Sequence, residues 1–523
     1  MKTEFLWQDY RYFPYERDLA RREIKAITGR DPKETERGFT ASIGAIDLKE
    51  LSKLTYFKAI QNGIETIVPD QAKMEASANT NGNSWLPSIN LIPHLSRQST
   101  RYSAHPLHEY RGKFNPQIVR AVGNILGLKS GAWVLDPFCG SGTTLLEAAH
   151  MGWNAIGFDV NPLSILITNA KITAFNISPS SLVSETERLV TSLRTRVTNI
   201  ALDWRDHLPN SDYLERWFSS RVLNQLTFII SEIEKIEIPE LRNVFLVVLS
   251  DICRGVSWQD PGDLRIRRRK NPSENHEVIS IFINTLQAKT KLVLRAREYI
   301  DPQKAKQIAL LKDVRNSDVS RQFTNEGNGG IFDAAITSPP YATALPYVDT
   351  QRLSLCILGL IDSNQIRRIE KSLIGNREIS NIERVRIETS LLNNEARLPK
   401  DVISFCEELL GRANHETHGF RRRNVPALIF KYFWEMAEMF ESVGKVIRRN
   451  GKYSLLVGYN RTTLQNEEIV IDTPHLLALV AESRGWKVEK TINFETYKRF
   501  DIHKKNSIRG EVLLMLTNKN SPI

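Results

Sequence analysis

VLDPFCGSGTT, residues Val134 to Thr144, decides the fold. Trp133–Leu135 enters as a strand, the strand stops at an acid, Asp136, and the turn Gly140-Ser141-Gly142 opens a helix running from Thr144 to Met151. Such a turn lets a ligand approach bare backbone beside a helix N-terminus. The glycines alone are weak evidence, since the third glycine of the dinucleotide fingerprint is missing. A second strand strengthens the reading: AIGFDVNP carries a strand at Ala155–Phe158 and ends in Asp159, about 20 residues on, where strand-end acids reach ribose hydroxyls. Two such acids around one glycine turn frame a nucleoside pocket, and Asp136 suits a ligand that carries a cationic amine, such as S-adenosylmethionine.

Working outward, helical spacing at Asn115–Leu128 and Leu163–Thr173 completes a pair of βα units, which implies parallel strands and right-handed crossovers. The alternation then breaks into helical text, SLVSETERLVTSLRTRV, VLNQLTFIISEIEKI and ELRNVFLVVLSDICRGV, before IALLKDV and IFDAAITS resume the strands. A second polar, helical interruption spans roughly Asp362 to Pro426. Sheet text returns in GKYSLLVGYN, VEKTINFETY and GEVLLMLTN, the last two spaced as an antiparallel pair at a sheet edge. Upstream, Pro14–Thr28 reads as an amphipathic helix, Gly38–Ile67 as short strands around a helix, and Ala76–Ser103 as loop or linker.

The 523 residues, 41% hydrophobic and 25% charged, suffice for a large core. A net charge of +11 favours an acidic polymer as partner without requiring one. Cys139, Cys253, Cys356 and Cys406 form no CxxC pair and no disulfide or zinc spacing, which fits a reducing cytoplasm. The N-terminal text lacks the apolar stretch of a signal peptide and no run of about 18 apolar residues occurs, so secretion and membrane spanning are excluded and a cytoplasmic location is expected.

ITSPPYATALPY, residues Ile336 to Tyr347, poses the chemical question. Two prolines end a buried strand abruptly, because neither ring nitrogen can donate to a ladder. A rigid turn of this kind holds backbone carbonyls outward. Read with VLDPFCGSGTT and GFDVNP, the stretch resembles the S-adenosylmethionine-dependent amino methyltransferases that modify the exocyclic amine of cytosine or adenine in DNA.

That resemblance implies an α/β, Rossmann-like methyltransferase sheet, mostly parallel with an antiparallel edge strand, carrying helical insertions and an N-terminal extension. The implied boundaries are an extension and linker at 1–100, a cofactor-binding part at 101–174, a mainly helical insertion at 175–305, a catalytic part at 306–361, a second helical insertion at 362–426 and C-terminal strands at 427–523. It implies S-adenosyl-L-methionine held by Asp136, Pro137, Phe138, Cys139, Gly140, Ser141, Gly142 and Thr143, with Asp159 on the ribose, Asp313 on the adenine amine, and Lys113 and Phe114 of HPLHEYRGKFNPQ at the methionine end. The catalytic residues it implies are Ser338, Pro339, Pro340 and Tyr341. An exocyclic amine is a poor nucleophile because its lone pair is delocalised into the ring. The Ser338 hydroxyl and a carbonyl near Pro339 can accept both N–H groups and localise that pair, while Tyr341 offers a stacking face for a flipped base. No metal is needed.

Double-stranded DNA is the expected partner, with room for a separate cognate restriction endonuclease. Ser at the first catalytic position favours cytosine N4 by correlation within the resembled family. Adenine N6 in DNA, an RNA base amine, and a nucleic-acid-binding protein with a dead cofactor site are the alternatives. Arg265, Arg267, Arg268, Arg269 and Lys270, with Arg421, Arg422 and Arg423, fall in the two insertions and are candidates to neutralise phosphates. Little text follows the last strand, so target recognition is expected in residues 175–305, assisted by 362–426. His105 and His108 read as packing or loop residues as readily as part of the cofactor mouth, His415 and His418 lack partnering ligands, and Cys139 reads as a small filler in the turn.

Overall fold

The computed structural model describes residues 2–44, 48–79, 97–110, 112–196, 203–260, 262–263, 266–270, 272, 276–316, 322–325, 329–342, 347–413, 419–465, 467–495 and 510–520. The first layer is a five-stranded antiparallel sheet of β1 (Lys2–Trp7), β2 (Lys33–Thr35), β3 (Gly38–Ser42), β4 (Phe57–Asn62) and β5 (Glu65–Ile67), in the order β2-β3-β1-β4-β5. It forms around aromatic side chains: Trp7 stacks on Phe57 at 5.2 Å and meets Phe39 edge-on at 5.1 Å. The region read as an extension is thus a folded layer, with its helix Pro14–Thr28 packed on the helix Pro116–Ile125.

Buried acids join that layer to the rest. Glu23 accepts from the Thr55 hydroxyl (2.6 Å) and the Asn124 amide (2.7 Å), and Glu75 accepts from Gln117 (2.8 Å). Burial pushes both carboxyls up to about 7.

The main sheet contains β6 (Trp133–Asp136), β7 (Asn154–Asp159), β8 (Gln307–Leu311), β11 (Phe332–Thr337), β12 (Ile447–Gly458), β15 (Trp486–Phe494) and β16 (Glu511–Asn518). Two small ribbons flank it, β9 (Thr324–Asn325) with β10 (Gly329–Gly330), and β13 (Asn460–Leu464) with β14 (Glu467–Ile471). The order is β15-β16-β12-β11-β6-β7-β8. Strands β12 to β8 run parallel, while β16 pairs antiparallel with both β12 and β15. From β6 the chain runs outward through β7 and β8, then returns to β11 on the other side of β6. That reversal opens a crevice at the strands' C-terminal ends, the usual ligand position in such sheets.

Helices Pro179–Arg196, Ser220–Glu234, Pro239–Val256 and Val278–Arg297 bury their apolar faces against one another and reach the sheet layer through helix Pro162–Asn176. Helices Ile366–Ser372, Asn381–Leu392 and Lys400–Ala413 form the second insertion, the latter two packed beside the long, largely buried helix Val425–Val446. Helix Pro162–Asn176 overruns the expected boundary at 174 by two residues and Val425–Val446 starts two residues before that at 427. Among the described residues no helix is long and apolar enough to cross a membrane.

Candidate active site

Strand ends build the site. β6 ends at Asp136, and the turn after it is pinned by Gly142 N–H to Cys139 O (2.7 Å) and Cys139 N–H to Phe158 O (2.9 Å). Gly140 (φ 49°) and Gly142 (φ 78°) both occupy the left-handed region that glycine tolerates. Asp159 closes the turn against β7, its carboxylate accepting from the amides of Gly140 (3.0 Å) and Asn161 (2.8 Å). Burial raises the Asp159 carboxyl to about 6, these amides and the nearby Asp136 acting as lesser influences.

A cleft opens over this turn. Its walls include Tyr110, Gly112, Lys113 and Phe114 from one side, Pro137 to Ser141, Thr143 and Asp159 from the turn, Lys312 to Arg315 after β8, Ser338 and Pro340 after β11, and Ser372 to Ile374 from the second insertion. The structure therefore brings together most of the residues read as cofactor-binding with two of the four read as catalytic. Pro339 is buried and Tyr341 half-buried, and neither is among the lining residues.

Two residues assigned to the cofactor do something else. Asp136 is buried under the turn, and one carboxylate oxygen accepts from the Thr337 hydroxyl (2.6 Å) and the Phe138 amide (3.1 Å). It ties β6 to the residue just before Ser338 and does not line the cleft. Gly142 faces helix Pro162–Asn176 instead: a Cβ there would lie 2.6 Å from Thr168 Cγ2. Cys139 packs on Gly157, and burial raises its thiol well above its ordinary range, which suits a filler.

Asp313 does line the cleft, but Arg315 grips its carboxylate from Nε (2.9 and 3.1 Å) and Nη2 (2.6 Å), and also binds Glu435 (2.7 Å) and Ser372 O (2.9 Å). Burial works against ionisation of Asp313, and the guanidinium prevails, holding the carboxyl below its usual value. Lone pairs remain on the carboxylate for a further donor.

Ser338 gives its hydroxyl hydrogen to Leu456 O on β12 (3.2 Å). Its oxygen can then act only as an acceptor, the role an amine N–H requires. The Tyr341 hydroxyl donates to Glu511 Oε1 at the start of β16 (2.8 Å). Two lysines surround the turn. Lys113 makes no hydrogen bond or ion pair among the described residues, and fully buried Lys171 donates to Ser141 O (3.0 Å). Burial depresses both. Of the two, only Lys113 lines the cleft and can meet an anionic group there.

His105, Glu147 and His150 meet in the interior, with Glu147 Oε1 accepting from the Tyr102 hydroxyl (2.7 Å) and lying 2.8 Å from His105 Nε2. Arg120 lies 3.6 Å from the other Glu147 oxygen, so its charge is already balanced and the group works as a structural network. His108 bonds Ser250 (3.0 Å) and anchors the segment leading to Tyr110.

The arginine-rich segments divide. Arg267 is exposed, 3.8 Å from Asp263, and Arg268 lies over the Trp258 ring at 4.3 Å. Arg269 is spent on its own hairpin, donating to Gln259 O (2.8 Å) and Gly255 O (2.9 Å). Lys270, Arg422 and Arg423 are exposed, while Arg265 and the side chain of Arg421, with His415 and His418, lie outside the described residues.

A Rossmann-like sheet with a glycine turn, a neighbouring strand-end acid and a Ser-Pro-Pro-Tyr loop at the next strand end defines the α/β methyltransferase class. Residues 58–169 match the DNA methylase family model N6_N4_Mtase. The match begins at residue 58, so it includes part of the N-terminal layer read from sequence as an extension. The Type II methyltransferase M.MvaI of Kocuria varians is 26% identical over 305 residues, 54% of this chain and 64% of that protein. The Type II methyltransferase M.BsoBI of Geobacillus stearothermophilus is 22% identical over 431 residues, 76% of this chain and 81% of that protein. A tRNA (guanine(10)-N2)-dimethyltransferase of Methanothermobacter thermautotrophicus is 32% identical over 79 residues, covering 15% of this chain and 24% of its own. The chain spans less than two thirds of the length of M.MvaI. It is similar to S-adenosylmethionine-dependent DNA amino methyltransferases.

Proposed function

We propose that this protein methylates an exocyclic base amine in double-stranded DNA at a specific sequence, with cytosine N4 as the acceptor. The observation that carries the reading is the shared cleft: Ser338 and Pro340 line the same space as the glycine turn and Asp159. The family's cofactor fits it. Asp159 and Asp313 offer acceptors for hydroxyl and amine donors, Lys113 has no counter-ion of its own, and Tyr110, Phe114 and Phe138 supply flat apolar walls. Bound there, S-adenosylmethionine supplies an electrophilic methyl group. The chain's own part is to present the amine: Ser338 Oγ, already turned into an acceptor by Leu456 O, takes one N–H, and a carbonyl of the Pro-Pro turn takes the other. The nitrogen lone pair is then free to attack, and the proton leaves to solvent.

Ser338 favours cytosine over adenine only through the correlation stated above. The tRNA relative shares only a short segment with this chain, which favours DNA as the substrate. Mass spectrometry of nucleosides from DNA of cells that express the protein tests both points. N4-methylcytosine is expected; N6-methyladenine would overturn the cytosine assignment, and methylated RNA with unmodified DNA would overturn the substrate class.

A further inference from the structure

Helix Asn381–Leu392 begins with a capping box, Ser380 accepting from the Glu383 amide (3.2 Å) and Glu383 accepting from the Ser380 amide (2.8 Å), and it buries Ser390 and Leu391. Its other side is unusual. Ile382 is 84% exposed, Val385 55% and Leu392 64%, and they fall in one stripe with exposed Arg386 and Thr389. Isolated exposed apolar side chains need no explanation; three aligned on one helix mark a contact surface.

Charge identifies the occupant. The nearby acids are already used: Glu383 pairs with Lys371 (3.2 Å) and Glu388 with Arg384 (3.3 Å). Arg386 in the stripe, and exposed Arg367 and Arg368 on helix Ile366–Ser372, which the Lys371–Glu383 pair links to this helix, make no ion pair among the described residues. An apolar stripe bearing a guanidinium and a hydroxyl matches the edges of base pairs, where apolar groups meet thymine methyls, arginine reads guanine and threonine serves either. The flanking arginines match phosphates. The helix is about 18 Å long, and a major groove admits a helix of that width.

Position agrees with this. The Lys371–Glu383 pair ties the helix to Ile366–Ser372, whose continuation, Ser372 to Ile374, lines the cleft. Arg315 fixes that continuation by its bond to Ser372 O (2.9 Å). A duplex seated on the helix therefore passes the mouth of the cleft.

We propose that helix Asn381–Leu392 lies in the major groove and reads the target sequence, with Arg386 as its specificity-determining residue. The inference rests on the DNA reading above and gives the leading part in target recognition to the second insertion, which was expected from sequence only to assist the first.

The test uses the full chain with plasmid DNA, the parent and two variants, Arg386→Ala and the triple change Ile382→Ser, Val385→Ser, Leu392→Ser. Modified positions are mapped by sequencing, single-turnover rates are measured, cofactor affinity is titrated and mass is followed by sedimentation. The triple variant should bind cofactor within about twofold of the parent yet methylate duplex on the order of tenfold or more slowly, and Arg386→Ala should accept a second base at one position of the site. An active parent whose variants keep the same site and rate would overturn the helix assignment alone. So would a parent dimer that the triple variant dissociates, since a second copy would then occupy the stripe. A parent that leaves all DNA unmodified would instead overturn the proposed function, and this inference with it.

Discussion

Tyr341 is the residue at which the proposed chemistry is most exposed to refutation, because its ring and its hydroxyl do separable things. The ring face is the proposed platform for an extruded base, a contact worth about 1 to 3 kcal/mol. The hydroxyl donates to Glu511 Oε1 at 2.8 Å and sets the angle of the ring. Hydrogen bonds to charged groups contribute roughly 1.5 to 3 kcal/mol, but Glu511 is only half-buried, so about 1 kcal/mol is the appropriate figure. Tyr341→Phe should then slow single-turnover methyl transfer about fivefold, while Tyr341→Ala loses both contributions and should slow it roughly 30- to 1,000-fold. Glu511→Ala should match Tyr341→Phe, and combining the two should add little, since each removes the same bond. Glu511→Gln keeps an acceptor and should recover most of the loss.

The assay is transfer of a labelled methyl group to DNA at saturating enzyme, with cofactor affinity titrated separately. Cofactor affinity should stay at the parent's value throughout. A Tyr341→Ala protein that transfers within twofold of the parent would refute the stacking role. Phe and Ala variants that fall equally would show that the hydroxyl, and not the ring, carries the effect.

Asp159, raised to about 6 by burial, should make cofactor affinity fall as the pH drops through 6, because the neutral acid is a poorer acceptor; Asp159→Asn should flatten that profile, and an unchanged profile in titrations from pH 5 to 8 would refute the role. The same shift acts on folding in the opposite sense: a raised acid contributes most to stability below its unfolded value and loses that contribution as the pH rises through about 6. Gly142→Val should lower the melting temperature, since it places Cβ 2.6 Å from Thr168 Cγ2 at a φ of 78°, at a combined cost of about 2 to 5 kcal/mol; lost cofactor binding at an unchanged melting temperature would return Gly142 to the ligand. Arg267→Ala should flatten the salt dependence of DNA affinity by up to about one unit, whereas Arg269→Ala should chiefly destabilise its hairpin, and the reverse outcome in salt titrations and melting curves would refute the division.

The parallel half of the sheet was legible because β6, β7 and β11 are short and largely buried, each stopped by an acid or by prolines. The antiparallel edge was legible from the two long strands that follow the last interruption, and β15 and β16 pair as their spacing implied. Within KTEFLW, strand β1 gave no alternating signal, because its half-buried and buried positions run together. Cleft residues near the glycine turn could be named from local text, but Arg315, Lys171 and Glu511 could not. Arg315 matters because it joins Asp313, Glu435 and Ser372, three residues far apart in sequence. The runs RIRRRK and FRRR looked equivalent to Arg367 or Arg386 in charge, yet only the fold shows that Arg269 satisfies its own hairpin carbonyls while Arg386 stands in an exposed stripe.

The N-terminal layer gains a role from this connectivity. Tyr15 on its first helix stacks on Phe494 at 4.2 Å with the rings 6° apart, and Phe494 is the register partner of Glu511 across β15 and β16. Glu511 in turn holds the Tyr341 hydroxyl. Asp136 joins the glycine turn to Thr337, immediately before Ser338. The Ser-Pro-Pro-Tyr loop is therefore clamped between two supports, one built on the glycine turn and one reaching back to the first layer. A proline turn fixes backbone carbonyls but leaves the following side chain free to rotate, so the Pro-Pro step alone cannot aim the tyrosine. That aim comes from Glu511 and the aromatic stack behind it, which gives a physical reason for the layer to be fused to the sheet through buried carboxyls such as Glu23 and Glu75 rather than tethered by a loose linker.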